Sequence, residues 1–98
     1  MMESAPAPEL SVLLVQSDLA WEAPAQNYAR LEQLLQGAPP ADVILLPEMW
    51  ATGFSMAAAR LAEPPGGPSA QWMARLAQAR GALVVGSLII QENGHHYN

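Results

Sequence analysis

Asp42-Val-Ile-Leu-Leu-Pro-Glu-Met-Trp-Ala-Thr-Gly-Phe-Ser-Met56 is the stretch on which the reading of this chain turns. Val43 to Leu46 are four consecutive apolar residues, the pattern of a strand buried on both faces. Pro47 has no N–H to give a sheet ladder, so pairing is expected to stop there. That places Glu48 just past the carboxyl end of the strand, with Met49, Trp50 and Phe54 for neighbours. A carboxylate set among large apolar side chains costs free energy unless it is paired or protonated. Proton transfer is the usual reason to keep one there, because partial desolvation suits a carboxyl to giving and taking protons. The plainer alternative is a loop glutamate that caps the helix after it. The local sequence leaves both open.

Working outward, Leu10 to Gln16 reads as a first buried strand, and the Pro- and Ala-rich residues 1–9 as a flexible tail. Pro24 opens a helix, on which Tyr28, Leu31, Leu34 and Leu35 share one face. Arg30, Glu32, Gln33 and Gln36 take the other face. Gly37 suits a left-handed stop, and Pro39-Pro40 keep the helix from resuming. On the other side of the key stretch, Ser55 is expected to cap a short alanine-rich helix ending near Ala62. Pro64-Pro65-Gly66-Gly67-Pro68 is a breaker. Ser69 is then expected to cap a helix whose apolar face holds Trp72, Met73, Leu76 and Ala77, with Arg80 and Gly81 at its end. Ala82 to Ile90 reads as a strand interrupted in character at Gly86-Ser87, and Asn93-Gly94 as a hairpin turn.

Strands separated by helices favour an α/β fold with parallel pairing and right-handed crossovers. The hairpin would add an antiparallel partner and make the sheet mixed. Ligands in such sheets gather outside the carboxyl ends of the strands, which is where the pattern puts Glu48.

Leu46-Pro-Glu-Met-Trp-Ala-Thr-Gly-Phe-Ser-Met56 resembles the glutamate motif of the nitrilase superfamily, the carbon–nitrogen hydrolases, and within it the omega-amidase branch. Two further blocks are similar in order and spacing. Val12-Leu13-Leu14-Val15-Gln16 with Asp18, Trp21 and Asn27 matches the first strand and helix start. Gly86-Ser87-Leu88 with Glu92, Tyr97 and Asn98 matches the third strand and its hairpin. The resemblance implies that residues 10–98 are the amino-terminal, incomplete part of an α-β-β-α four-layer sandwich. It makes Glu48 the general base of a Glu–Lys–Cys triad and allows Phe54 to line the acyl pocket. Trp50 stands where relatives commonly carry phenylalanine, which adds volume beside the glutamate.

The implied reaction is hydrolysis of the terminal amide of a 2-oxo acid such as 2-oxoglutaramate, without metal or cofactor, by a cytoplasmic enzyme that self-associates, as a dimer. A nitrilase, carbamoylase or aliphatic amidase of the same superfamily is the alternative substrate reading. A departure is plain: the 98 residues contain no cysteine and no lysine, their four permanent cations all being arginines (Arg30, Arg60, Arg75, Arg80). Two members of the triad are therefore missing, and this chain alone is expected to be inactive. An alternative of another class is a non-catalytic α/β interaction module or remnant.

Composition bounds the rest. Hydrophobic residues make up 51%, which argues for a core and against disorder. The net charge of −5 leaves no basic patch for nucleic acid or an anionic membrane surface. Residues 1–9 lack the features of a secretory signal, and no apolar run reaches membrane-spanning length. His95 and His96 are adjacent on an expected strand and would point to opposite faces, one surface and one half-buried, so they cannot chelate one ion together. Asp18, Glu22 and Glu92 are expected to be solvated or to cap neighbouring elements. No phosphate-binding glycine motif is present.

Overall fold

The computed structural model describes residues 9–98. Apart from Glu9, which is exposed, the tail expected over residues 1–9 lies outside the described residues. The elements follow the order β1 (Val12–Leu14), α1 (Pro24–Gln36), β2 (Val43–Leu45), α2 (Ala58–Leu61), α3 (Pro68–Arg80), β3 (Leu83–Val85), β4 (Ile90–Glu92) and β5 (His95–Tyr97).

Strands β1, β2 and β3 form a parallel sheet in that order, with Leu13, Ile44 and Val84 in register across it. Asp42 fastens the amino-terminal edge. Its carboxylate accepts from the Ser11 amide and hydroxyl at 2.9 and 3.0 Å, and its carbonyl accepts from Leu83 N–H. Those two donors hold the Asp42 carboxyl below its ordinary range.

Side chains alternate across a strand, and here the alternation has opposite consequences. Leu13, Ile44 and Val84 face the two long helices, joining Leu31 and Leu35 of α1 and Trp72 of α3 in one core with Leu46, Trp50 and Ala51. Val12, Leu14, Leu83 and Val85 face the other way and are exposed, with Val43 and Leu45 between them only half-buried. The expectation of strands buried on both faces is corrected: one helical layer covers one face, and the described residues supply nothing for the other.

The expected mixed sheet is also corrected. Strands β4 and β5 pair only with each other, antiparallel, in a separate two-stranded sheet. The chain leaves the first sheet at Gly86, whose backbone lies directly on the Trp50 indole. A Cβ there would come within 2.8 Å of the ring. The expected strand over residues 82–90 is thereby split in two. The hairpin attaches instead to the segment after α2, through Glu63 N–H to Ile89 O and Gln91 N–H to Glu63 O.

The helix ends follow the sequence in part. Pro24 is the first residue of α1 and Gly81 ends α3 with φ 59 in the left-handed region, both as expected, whereas Pro68, expected in the breaker, is already the first residue of α3. Gly37 does not: its φ is −95. The end of α1 is satisfied from α3 instead, by Arg80 donating to the carbonyls of Leu35, Ala38 and Pro39. Neither serine is the cap residue of its helix. Helix α2 starts three residues after Ser55, and Ser69 lies inside α3, where its N–H and hydroxyl both donate to the Glu63 carboxylate. A carboxylate at that helix start offers two acceptor oxygens to orphan amides, where a serine offers one.

Candidate active site

Leu46 makes the last ladder bond of β2, its N–H donating to Val85 O at 2.8 Å. Pro47 has no N–H to offer, and the chain turns through residues 48–52. Met49 sits at φ +50, a conformation that costs a side-chain-bearing residue about 1–2 kcal/mol and persists only where its surroundings enforce it.

Those surroundings come from four parts of the chain. The Met49 N–H donates to Ser87 Oγ at 2.8 Å, and its carbonyl accepts from Thr52 and Gly53. Asn27, fully buried on α1, donates to Ala51 O at 2.7 Å and exchanges two hydrogen bonds with the backbone of Ala20. Glu22 N–H donates to Thr52 O, so the loop before α1 is sewn to the turn. Beneath them Trp50 is wholly buried, with ring centroids 5.6 Å from Tyr28 and 4.7 Å from Trp72. Its indole N–H is buried and has no hydrogen-bond partner among the described residues.

A polar chain supports this aromatic cluster. Ser69 spends its one hydroxyl proton on Glu63, so in the 2.6 Å contact with Tyr28 the phenol is the donor. Burial is the main cause that pushes the Tyr28 phenol up from its ordinary value. Trp72 donates its indole N–H to Glu32 at 2.7 Å.

The Glu48 side chain is exposed. The expected wall of apolar neighbours does not enclose it, because Met49 and Trp50 turn inward and are buried in the protein. Phe54 is 63% exposed, on the loop that follows. A depression of about 430 Å³ opens at the carboxyl ends of β1 and β2, lined by residues 14–17 and 45–47. Neither Glu48 nor Phe54 lines it.

Phe54 and Met56 are presented by a loop with its own clamp. The Glu22 carboxylate accepts from Ser55 Oγ at 2.6 Å and pairs with Arg60, while Ser55 Oγ accepts from Ala57 N–H. The Ser55 hydroxyl first, and then the Arg60 guanidinium, hold the Glu22 carboxyl below its ordinary value. Glu22, expected to be solvated or to cap a neighbouring element, is thus a clamp on the loop that leads into α2. Gly53, at φ +75, lies under the Trp21 ring, where a Cβ would stand 3.3 Å away.

Glu48 and Phe54 stand out in the sequence, whereas nothing in it assigns a bonding partner to Asn27, Ser87, Glu22 or Glu63. No signal of spacing marks a side chain that hydrogen-bonds a backbone 24 or 38 residues distant. His95 and His96 both lie exposed on β5, which corrects the half-buried histidine expected. Among the described residues no group of three or more His, Cys, Asp or Glu is arranged to hold a metal ion, and no helix is long and apolar enough to cross a membrane.

The carbon–nitrogen hydrolase family matches residues 11–98 of the chain. An omega-amidase of Escherichia coli K12 is 36% identical over 93 residues, which are 93% of this chain and 35% of the relative. The 2-oxoglutaramate amidase of Bacillus subtilis is 30% identical over 91 residues, 90% of this chain and 35% of the relative. Among solved structures, a CN-hydrolase superfamily protein from Xanthomonas campestris, carrying an arsenic adduct in its active site, superposes with a TM-score of 0.84. It is 33% identical, and the match covers 91% of this chain and 34% of that one. The chain therefore spans about a third of the length of the relatives it matches.

Proposed function

The chain belongs to the carbon–nitrogen hydrolase family, and from that premise we propose that its protein hydrolyses the terminal amide of a 2-oxo acid with Glu48 as general base. The observation that carries the proposal is the turn itself. A carboxylate with an open side chain stands past the carboxyl end of the central strand, on a backbone held from α1, from the loop before it and from the segment after β3. That is the placement a proton-transfer group needs: a free head on a fixed base. The names of the relatives from E. coli and B. subtilis supply the substrate class.

In the mechanism this family membership brings, the glutamate takes the proton of a cysteine thiol, and the thiolate attacks the amide carbonyl. A lysine ammonium and a backbone N–H hold the oxyanion. The protonated glutamate then hands its proton to the leaving ammonia. Later it takes a proton from water, whose oxygen displaces the thiolate from the thioester. Lysine and cysteine are absent from these 98 residues and would have to come from elsewhere in the protein. So would the groups that enclose Glu48, and a cation for the carboxylate of a 2-oxo acid. Arg30, Arg60 and Arg80 are already engaged with Asp18 O, Glu22 and the end of α1, and Arg75 lies on α3 beside Glu32 and Trp72.

The uncovered face of the sheet supports a further part of the proposal, in which it is the inner face of a four-layer sandwich. The same face supports a second reading, a non-catalytic module that buries Val12, Leu14, Leu83 and Val85 against a partner.

Glu48→Gln in the enzyme expressed from its native gene separates the two. The expected outcome is a loss of at least about a thousandfold in kcat on 2-oxo acid amides, with KM nearly unchanged. Turnover close to wild type would remove Glu48 from the chemistry. A panel of amides, nitriles and N-carbamoyl compounds assayed alongside fixes the substrate class, because a polar site rejects compounds that leave its groups unpaired.

A further inference from the structure

Resting on the reading of Glu48 as general base, we propose that Ser87 is a positioning residue for it, acting through the Met49 amide. The peptide that joins Glu48 to Met49 is planar, so fixing its N–H fixes the plane attached to the Glu48 α-carbon. The Ser87 hydroxyl oxygen accepts that N–H at 2.8 Å. The two residues are 38 apart in sequence and meet because β2 and β3 run parallel side by side, each leaving the sheet at the same end.

Three things hold Met49 in the left-handed region. Its carbonyl accepts from Thr52 and Gly53, and the side chains of Met49 and Trp50 are buried. Both of these act at or beyond the Met49 α-carbon. The Ser87 bond alone grips the peptide on the Glu48 side. Were it lost, Met49 could relax toward an ordinary φ, and the rotation would swing the Glu48 carboxyl. The hydroxyl is itself held in place by the core, because Gly86 rests on the Trp50 indole with no room for a side chain between them. A side chain that only satisfied a half-buried amide would contribute to stability and nothing more. The placement of Ser87 against the Glu48–Met49 peptide gives it a specific effect on turnover.

The test uses the enzyme expressed from its native gene, with 2-oxo acid amides as substrate, and four proteins: wild type, Ser87→Ala, Ser87→Thr and Glu48→Gln. Ser87→Ala is expected to lower kcat roughly ten- to hundredfold, the scale on which a small misplacement of a reacting group acts, with KM within about twofold. Ser87→Thr keeps the hydroxyl and is expected to recover kcat to within about threefold of wild type. Thermal melts and the folded fraction are measured for each. The proposal is overturned if Ser87→Ala keeps wild-type kcat per folded molecule, or if only its melting midpoint falls. It is equally overturned if Ser87→Thr is no better than Ser87→Ala. Glu48→Gln keeps the two ideas apart. An inactive Glu48→Gln beside a fully active Ser87→Ala defeats the Ser87 proposal alone, whereas an active Glu48→Gln defeats both.

Discussion

The two faces of the parallel sheet are built from the same kinds of residue and have opposite fates. Ile44, at the middle of β2, is fully buried beneath α1 and α3, while Leu14, one strand away on the other face, is 68% exposed. Both are branched aliphatics on three-residue strands in the same ladder. What differs is which side of the pleat they occupy, and what the rest of the chain brings to that side. Apolar character alone therefore does not make a core. The covered face is also the fastened one: Asn27, Glu63, Arg80 and the Glu22 clamp all tie its helices and loops together, and the Glu48 turn is anchored on the first of them.

The comparison is broken or sharpened by three measurements. The largest effect is expected from Ile44→Ala, which empties the centre of the covered face and should lower unfolding stability by about 3–4 kcal/mol in a urea titration. A change below about 1 kcal/mol would show that this face is not the packed one.

A smaller effect is expected from pH at the rim. The Glu22 carboxyl is held below its ordinary value of 4.5, so its contribution is fully present above that pH. The contribution fades as pH falls through the lowered native value, when the carboxyl takes up a proton and releases Ser55 and Arg60. Melting midpoints recorded from pH 7 down to pH 3 should therefore fall less steeply in Glu22→Gln than in the parent. Parallel curves would show that the clamp carries no linked proton.

The smallest effect is expected from Leu14→Ser in the 98-residue chain, within about 0.5 kcal/mol, since that side chain is mostly in water already. The same substitution in the native-gene enzyme should cost about 2 kcal/mol if the sandwich reading is right, because the residue would then be in a core. Equal, small effects in both proteins would refute that reading.

Much of the fold was legible from particular residues. Pro24 and Gly81 mark helix ends at the positions where a helix begins and another stops, because each restricts or frees the backbone by its own covalent structure. The run Val43–Leu46 ending at Pro47 located β2 and the position of Glu48 past its end, and Asn93-Gly94 located the hairpin. Ser55 and Ser69 are not the caps their positions suggest, because the residues that meet those backbone groups, or take up those hydroxyls, come from elsewhere in the chain. The sequence could not say that Glu63 would reach the start of α3, or Glu22 the loop after Gly53. Gly37 departs from its expected left-handed stop for a related reason: an arginine from another helix does the work of that turn.

Sequence by itself determined the period of the helices, the breaks between elements, the order of strands and helices, and a carboxylate beside a proline at a strand's end. These follow from local sterics and from side-chain alternation, which need no partner. Tertiary structure decided which face of the sheet is covered, that the hairpin stands apart, that Met49 turns left-handed, and that Asn27 and Ser87 hold the turn on which Glu48 is carried. Those outcomes depend on hydrogen bonds and packing between residues 24 to 45 positions apart. Only the closed fold brings such residues within reach, and the angular and distance demands of a hydrogen bond leave no trace in the spacing of the chain.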